Sequence, residues 1–306
     1  MRVFVTGVTG QLGHDVMLEL AGRGHEAIGT ARRMPEDGQD VPGRTFVKLD
    51  LTDEKAVKEA VVSCRPESII HCAAWTAVDA AEDEENREAV YAANVLATRY
   101  LAEAAKEVDA KMLYLSTDYV FDGQGNRPWE PGDRCFAPLN YYGQTKLEGE
   151  LAVSSVLEKF FIVRIAWVFG LNGKNFIRTM INVGKTHDTV RVVNDQIGTP
   201  TYTRDLARLL VDMIETEKYG YYHATNSEER PGAYISWADL AEEAYQAAGM
   251  NTKVVRVNSE EYGLSKAVRP FNSRLEKSKL PESGFAPLPT WKDAVRRYIE
   301  EAGLKA

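Results

Sequence analysis

Three cysteines, Cys64, Cys72 and Cys135, are too few and of the wrong parity for a disulfide framework, and they form neither a CxxC pair nor a Cys/His ligand spacing. Each is expected to be a small buried hydrophobe. The five histidines, His14, His25, His71, His187 and His223, show no metal spacing either, and no metal is expected. His71, in an apolar run, reads as a hydrogen-bonded core residue rather than a catalytic one. No stretch approaches the ~18 consecutive apolar residues of a membrane span. The start, MRVFVTGVTG, turns glycine-rich before a signal-peptide hydrophobic region is complete, so a cytoplasmic location with no membrane partner is expected. A basic excess is also missing: 37 Lys and Arg against 45 Asp and Glu leave a net charge of −8. That disfavours a nucleic-acid partner, whose phosphates call for clustered cations, but leaves room for a small anionic ligand in a local basic pocket. Internal repeats and low-complexity tracts are absent.

What is present is a globular composition, 44% apolar and 27% charged without long single-sign runs. A length of 306 residues suggests two domains, or one large domain with a dependent lobe. The first half alternates β-branched runs with amphipathic ones, the pattern of β-α-β units. Strands are expected at Arg2–Thr6, Glu26–Thr30, Thr45–Lys48, Ser68–Cys72, Lys111–Ser116 and Phe160–Ala166, with helices at Gln11–Arg23, Glu54–Cys64 and Glu84–Glu107. The run SIIHC is apolar on both faces, as a central strand must be. Asp118–Leu139 is a Gly/Pro/Asp-rich segment too long for a plain connector, and a helix follows from about Tyr141. Shorter elements come after Gly170, including two capping-box-like starts at Ser236–Asp239 and Thr290–Asp293. The fold class is α/β: a doubly wound parallel sheet over residues 1–169, with a smaller α+β lobe over residues 170–306 that returns some chain to the sheet.

Directly after the first strand stands TGVTGQLG, with Gly7, Gly10 and Gly13 three apart and Gln11 and Leu12 opening the helix. Glycines between a strand and a helix let backbone amides approach a pyrophosphate, so this run is a candidate dinucleotide site; the alternative is a tight turn. At the end of the second strand, where an acid would select NAD, stand Arg32 and Arg33. Two guanidiniums there suit a 2′-phosphate, favouring NADPH and leaving NADH open, unless they form only a solvated basic turn. Asp50 and Leu51 follow the third strand, where an adenine would lie, and Ala73 and Ala74 after the fourth are small enough to let a cofactor pass. Tyr142 and Lys146 are four apart near a helix start and so share a face. Acid/base work by tyrosine near neutrality needs its pKa to fall by about 3 units, roughly 4 kcal/mol, part of which a lysine ammonium one turn away can supply. Thr117 ends the fifth strand at the sheet's carboxyl edge, either orienting a substrate oxygen beside Tyr142 or capping the strand.

The blocks TGVTGQLG, HCAAWTAVDAAE, NVLATRYLAEAA, LSTDYVFDG, NYYGQTKLEGE, RIAWVFG, NDQIGTPTYTRDLA and RPFNS resemble the extended short-chain dehydrogenase/reductase superfamily and, within it, the dTDP-4-dehydrorhamnose reductase family. The resemblance implies an NADPH-dependent reductase of a 4-keto nucleotide-sugar in dTDP-rhamnose and polysaccharide biosynthesis, with Thr117, Tyr142 and Lys146 as its catalytic trio. It implies that Asp118, Tyr119, Trp167 and the region around Asn175 face the nucleotide-sugar and that Arg269 closes from the second lobe. Residues alone would make Trp167 core and Arg269 a surface charge. Trp75 stands where the family commonly has Tyr or His, which bears on packing around the nicotinamide ribose. Some relatives hold magnesium between subunit carboxylates; Asp15 matches one, but Arg204 offers a cation where a second acid would be needed. The chain is expected to be a monomer or homodimer. An NAD-retaining epimerase or dehydratase on the same fold, and a non-catalytic partner subunit of methionine adenosyltransferase type, are the alternatives. In the reductase reading, Arg32, Arg33, Lys146 and Arg269 stand in a positive cleft against the overall charge.

Overall fold

A computed structural model describes residues 1–33 and 45–305. Strands Arg2–Thr6 (β1), Glu26–Ala31 (β2), Thr45–Lys48 (β3), Ser68–His71 (β4), Lys111–Thr117 (β5) and Phe160–Ile165 (β6) join Gly220–His223 in one seven-stranded parallel sheet. Across the sheet the order is Gly220–His223, β6, β5, β4, β1, β2, β3. The direction of winding reverses between β1 and β4. Loops leaving those two strands part company and open a crevice at their carboxyl ends. Helices Gln11–Gly22 and Thr203–Ile214 cover one face over Val5, Val16, Leu113 and Leu210. Helices Glu54–Cys64, Ala97–Glu107 and Tyr141–Val156 cover the other over Phe4, Val61, Leu101 and Val153. With both faces covered, β4 is buried along its whole length.

The second half of the chain completes this sheet before building its own core. Thr203–Ile214 packs on Gln11–Gly22, and Gly220–His223 runs parallel beside β6. The lobe proper gathers Phe169, Ile181, Tyr245, Trp291 and Tyr298 between helices Phe176–Gly184, Trp237–Ala248 and Trp291–Glu301. None of the helices is long and apolar enough to cross a membrane among the described residues.

Three sequence expectations are corrected. The single helix expected over Glu84–Glu107 is broken into a 3-10 turn (Glu84–Asn86), a helical turn (Arg87–Tyr91), a π turn (Ala92–Leu96) and the helix Ala97–Glu107. A π turn inserts a residue into the ladder and re-aims what it carries, and here it carries Asn94. Ser236 and Asp239 do form a reciprocal capping box, but the Thr290 side chain caps nothing: its backbone is bridged to Ser227, and Asp293 is drawn to Arg297 instead. No cysteine is fully buried; Cys64 and Cys72 are partly covered, and Cys135, out on the long loop, is exposed.

Candidate active site

The glycine run lies where β1 meets the crevice. Gly7 adopts φ +69°, and a Cβ there would stand 2.8 Å from the Ala73 backbone. A Cβ on Gly13 would stand 2.4 Å from the Gly7 carbonyl, so the loop and the helix close on each other only without side chains. Gly10 caps Gln11–Gly22 with extended backbone and no side-chain bond, leaving the helix's first amides for an anion. The Leu12 side chain is buried in the core, so only its backbone reaches this cradle. The cradle therefore fits a dinucleotide pyrophosphate. Arg32 and Arg33 are exposed at the end of β2. Across from them two hydrogen bonds from Thr52, at 3.0 and 2.8 Å, hold the Asp50 carboxyl below its ordinary range, with Arg32 adding to the effect. Leu51 leans on the core, and Ala73 lines the gap beside Gly7, with Ala74 next along the chain and partly buried.

Thr117 ends β5, and Tyr142 and Lys146 lie on the first turns of Tyr141–Val156, a helix capped by Asn140, which accepts the Gly143 amide at 2.8 Å. The Lys146 ammonium donates to the Leu115 carbonyl at 2.7 Å and sits 4.1 Å from the Tyr114 ring centre. Burial pushes its pKa down to about 7, against the pull of Glu150. Tyr142 lies beside Tyr119. Burial raises its phenol above the ordinary value, the Asp118 charge and Tyr119 add to that, and the Thr117 hydroxyl pulls the other way. Asp118 is buried: its Oδ1 accepts the Thr117 hydroxyl at 2.9 Å, its Oδ2 has no partner among the described residues, and burial pushes its carboxyl up to about 6. Tyr119 meets Tyr142 edge to face with ring centres 5.6 Å apart, and burial pushes its own phenol up to about 12.

Two groups of residues here went unseen in the sequence. Asn94 accepts the Trp75 amide at 2.8 Å and donates to Thr145 at 3.0 Å, tying the loop after β4 to the helix of Tyr142. Thr98 donates to the Asn94 carbonyl, so His71 Nε2 donates to Thr98 while its Nδ1 accepts from Thr6. Burial pushes His71 down to about 3, so it is the neutral core residue expected. The second group is Ser116, Glu150 and Arg164. Glu150 accepts the Ser116 hydroxyl at 2.5 Å and both forks of the buried Arg164 guanidinium at 2.8 Å. Only the helical offset of Glu150 from Lys146, one turn on, could have signalled it.

At the mouth of the crevice the implied substrate residues divide. Trp167, partly buried, takes φ +52° and stacks on Trp237 with centroids 4.1 Å apart. Asn175 turns inward: it caps Phe176–Gly184 and its amide is spent on Gln11, Gly170 and Tyr298, so its side chain is not free to face a sugar. Trp75 keeps its indole on the Ala77 carbonyl at 3.1 Å. Arg269 lies near Tyr119 as implied, but it is paired with Asp79 at 2.6 Å. Of the cations expected to make the cleft positive, Arg269 is thus accompanied by a carboxylate. Asp15 accepts Thr203 at 2.5 Å, while Arg204 is committed to Glu301 at 2.6 Å. Among the described residues no group of three or more His, Cys, Asp or Glu could hold a metal.

The RmlD substrate binding domain family matches residues 1–304. A dTDP-4-dehydrorhamnose reductase of Streptomyces griseus is 38% identical over 96% of this chain and 91% of its own. The spore coat polysaccharide biosynthesis protein SpsK of Bacillus subtilis is 32% identical over 98% of this chain and 97% of its own. The crystal structure of a Bacillus anthracis dTDP-4-dehydrorhamnose reductase in complex with NADP superposes with a TM-score of 0.87 at 36% identity, covering 98% of this chain and 99% of that one.

Proposed function

The chain belongs to the dTDP-4-dehydrorhamnose reductase family, and from that premise we propose that it reduces the C4 keto group of dTDP-4-dehydro-6-deoxy-L-mannose to give dTDP-L-rhamnose. The observation that carries the reading is the meeting of Thr117, Tyr142 and Lys146 at the carboxyl end of β5, beside a glycine cradle that a Cβ would fill. NADPH, when bound, supplies the hydride. The backbones of Gly7, Gly10, Gln11, Leu12 and Gly13 would hold its pyrophosphate and Arg32 and Arg33 its 2′-phosphate, with Asp50 and Leu51 at the adenine and Ala73, Ala74 and Trp75 along the nicotinamide half.

Tyr142 is the proton donor. Held above its ordinary value, its phenol keeps its proton throughout the neutral range, as a donor must. As negative charge gathers on the C4 oxygen, Tyr142 releases that proton to it. The phenolate left behind is stabilised by the Lys146 ammonium one turn away, and the same lysine would hold the nicotinamide ribose. Thr117 orients the carbonyl oxygen. Asp118, Tyr119, Trp167 and Arg269 surround the sugar and its diphosphate, while Asn175 acts from behind by fixing Gln11. Residues 1–169 carry the cofactor and 170–306 the substrate lobe, which lends Thr203–Ile214 and Gly220–His223 to the sheet. The protein acts in the cytoplasm, as a monomer or homodimer. The test is NADPH oxidation against a panel of dTDP-, UDP- and GDP-4-keto sugars, with the product configured at C4 by NMR. Turnover of the dTDP sugar to the L-rhamno product is expected. Tightly retained NAD without net NADPH oxidation would replace the reductase with an epimerase.

A further inference from the structure

The loop after β4 and the lobe segment Ser265–Arg269 lie nearly 190 residues apart and meet on one carboxylate. Asp79 Oδ1 accepts the amides of Lys266 and Ala267 at 3.1 and 3.0 Å, and Oδ2 accepts Arg269 Nη2 at 2.6 Å. Arg269 also donates to the Tyr119 hydroxyl and to Ser265, both at 3.2 Å. Tyr119 in turn touches Tyr142. Asn140, the cap of the catalytic helix, donates to the Val268 carbonyl at 2.8 Å, and the Lys266 ammonium pairs with Asp83. Apolar burial anchors this stretch at Ala267 and, just beyond it, at Pro270, while Leu264, Val268 and Phe271 are exposed. Polar bonds supply the rest of the hold, and Asp79 makes three of them. An exposed ion pair by itself is worth little; two backbone amides on the same carboxylate turn this one into a hold on the chain. A guanidinium has five donor hydrogens, and Ser265, Tyr119 and Asp79 take three, so two stay free for an anion.

Resting on the reductase reading, we propose that Asp79 is a positioning residue for the nucleotide-sugar: it seats Ser265–Arg269 beside Tyr119 and presents Arg269 to the substrate diphosphate. The test is calorimetric binding of dTDP to the NADP-loaded chain, with amide exchange of Lys266 and Ala267 read alongside. Asp79→Ala is expected to raise the dTDP Kd at least tenfold, speed both amides and leave NADP affinity within twofold. Asp79→Asn keeps an acceptor oxygen for the amides, so slow exchange and a dTDP Kd within threefold of the parent are expected. In turnover the Ala variant raises KM for the sugar more than it lowers kcat. A dTDP Kd within twofold of the parent in Asp79→Ala, an equal loss of NADP affinity, or a parent chain that does not bind dTDP would each overturn the proposal. A parent that binds dTDP but reduces no 4-keto sugar would sink the reductase reading instead.

Discussion

The two sides of the crevice are built by different means. On the cofactor side, between β1 and β4, the surface is mostly main chain: Gly7 and Gly13 matter for the atoms they lack, and the cradle follows from a strand, a turn and a helix within a dozen residues. On the substrate side the surface is side chains brought together from afar, with Asp79 meeting Arg269, Asn175 meeting Gln11, and Trp167 meeting Trp237. The first side is a local consequence of backbone sterics and is suited to a ligand shared by many enzymes. The second depends on how the lobe docks, and in the proposed reading it is the side that meets the substrate.

The contrast can be broken at several points. The largest effect belongs to Tyr142, which serves both sides: Tyr142→Phe should cut kcat by roughly 10²–10⁴ while leaving NADPH binding nearly intact, as stopped-flow oxidation would show. Next comes Glu150→Gln, which strands the buried Arg164 guanidinium and should cost about 3–5 kcal/mol in denaturant unfolding. The same change removes the carboxylate that holds Lys146 up near 7; since the charged ammonium is the useful form, the alkaline limb of the kcat/KM profile should move to lower pH. Asp118→Asn tests whether the substrate side stores strain. The carboxyl titrates at about 6 in the fold against an ordinary 3.8, so above pH 6 the folded chain carries a penalty of roughly 3 kcal/mol that vanishes below both values. The variant should melt higher than the parent at pH 7.5, lose that advantage as pH falls through 6 toward 4, and turn over more slowly. The smallest effect is on the cofactor rim, where removing Arg32 and Arg33 together should raise the NADPH Kd roughly 10- to 100-fold and leave the NADH Kd within threefold. Equal changes for both cofactors would take the 2′-phosphate away from these arginines.

The same contrast explains what could be read in advance. Parallel strands, the glycine run and the Tyr142/Lys146 pair announce themselves through local periodicity and spacing, and the sheet followed within a residue or two. The π turn at Ala92–Leu96 did not, because one inserted residue leaves an apolar pattern almost unchanged while rotating Asn94 toward Trp75. Asn175 was read as facing the sugar, yet an asparagine before a helical run also reads as an N-cap, and capping won. The raised phenol of Tyr142 has no counterpart in spacing, which shows that a lysine is near but not how deeply the ring is buried. Arg269 against Asp79 lies beyond any local pattern.

Trp167 carries one more consequence. A bulky residue at φ +52° sits where an L side chain costs ~1–2 kcal/mol and where glycine or asparagine would rest without strain. Selection for thermal robustness alone would therefore tend to erase the indole, trading its stacking on Trp237 for a relaxed main chain. Persistence of a tryptophan here under mutational drift would be a record of selection for turnover. A stabilised variant library should lose Trp167 early wherever the screen omits the sugar.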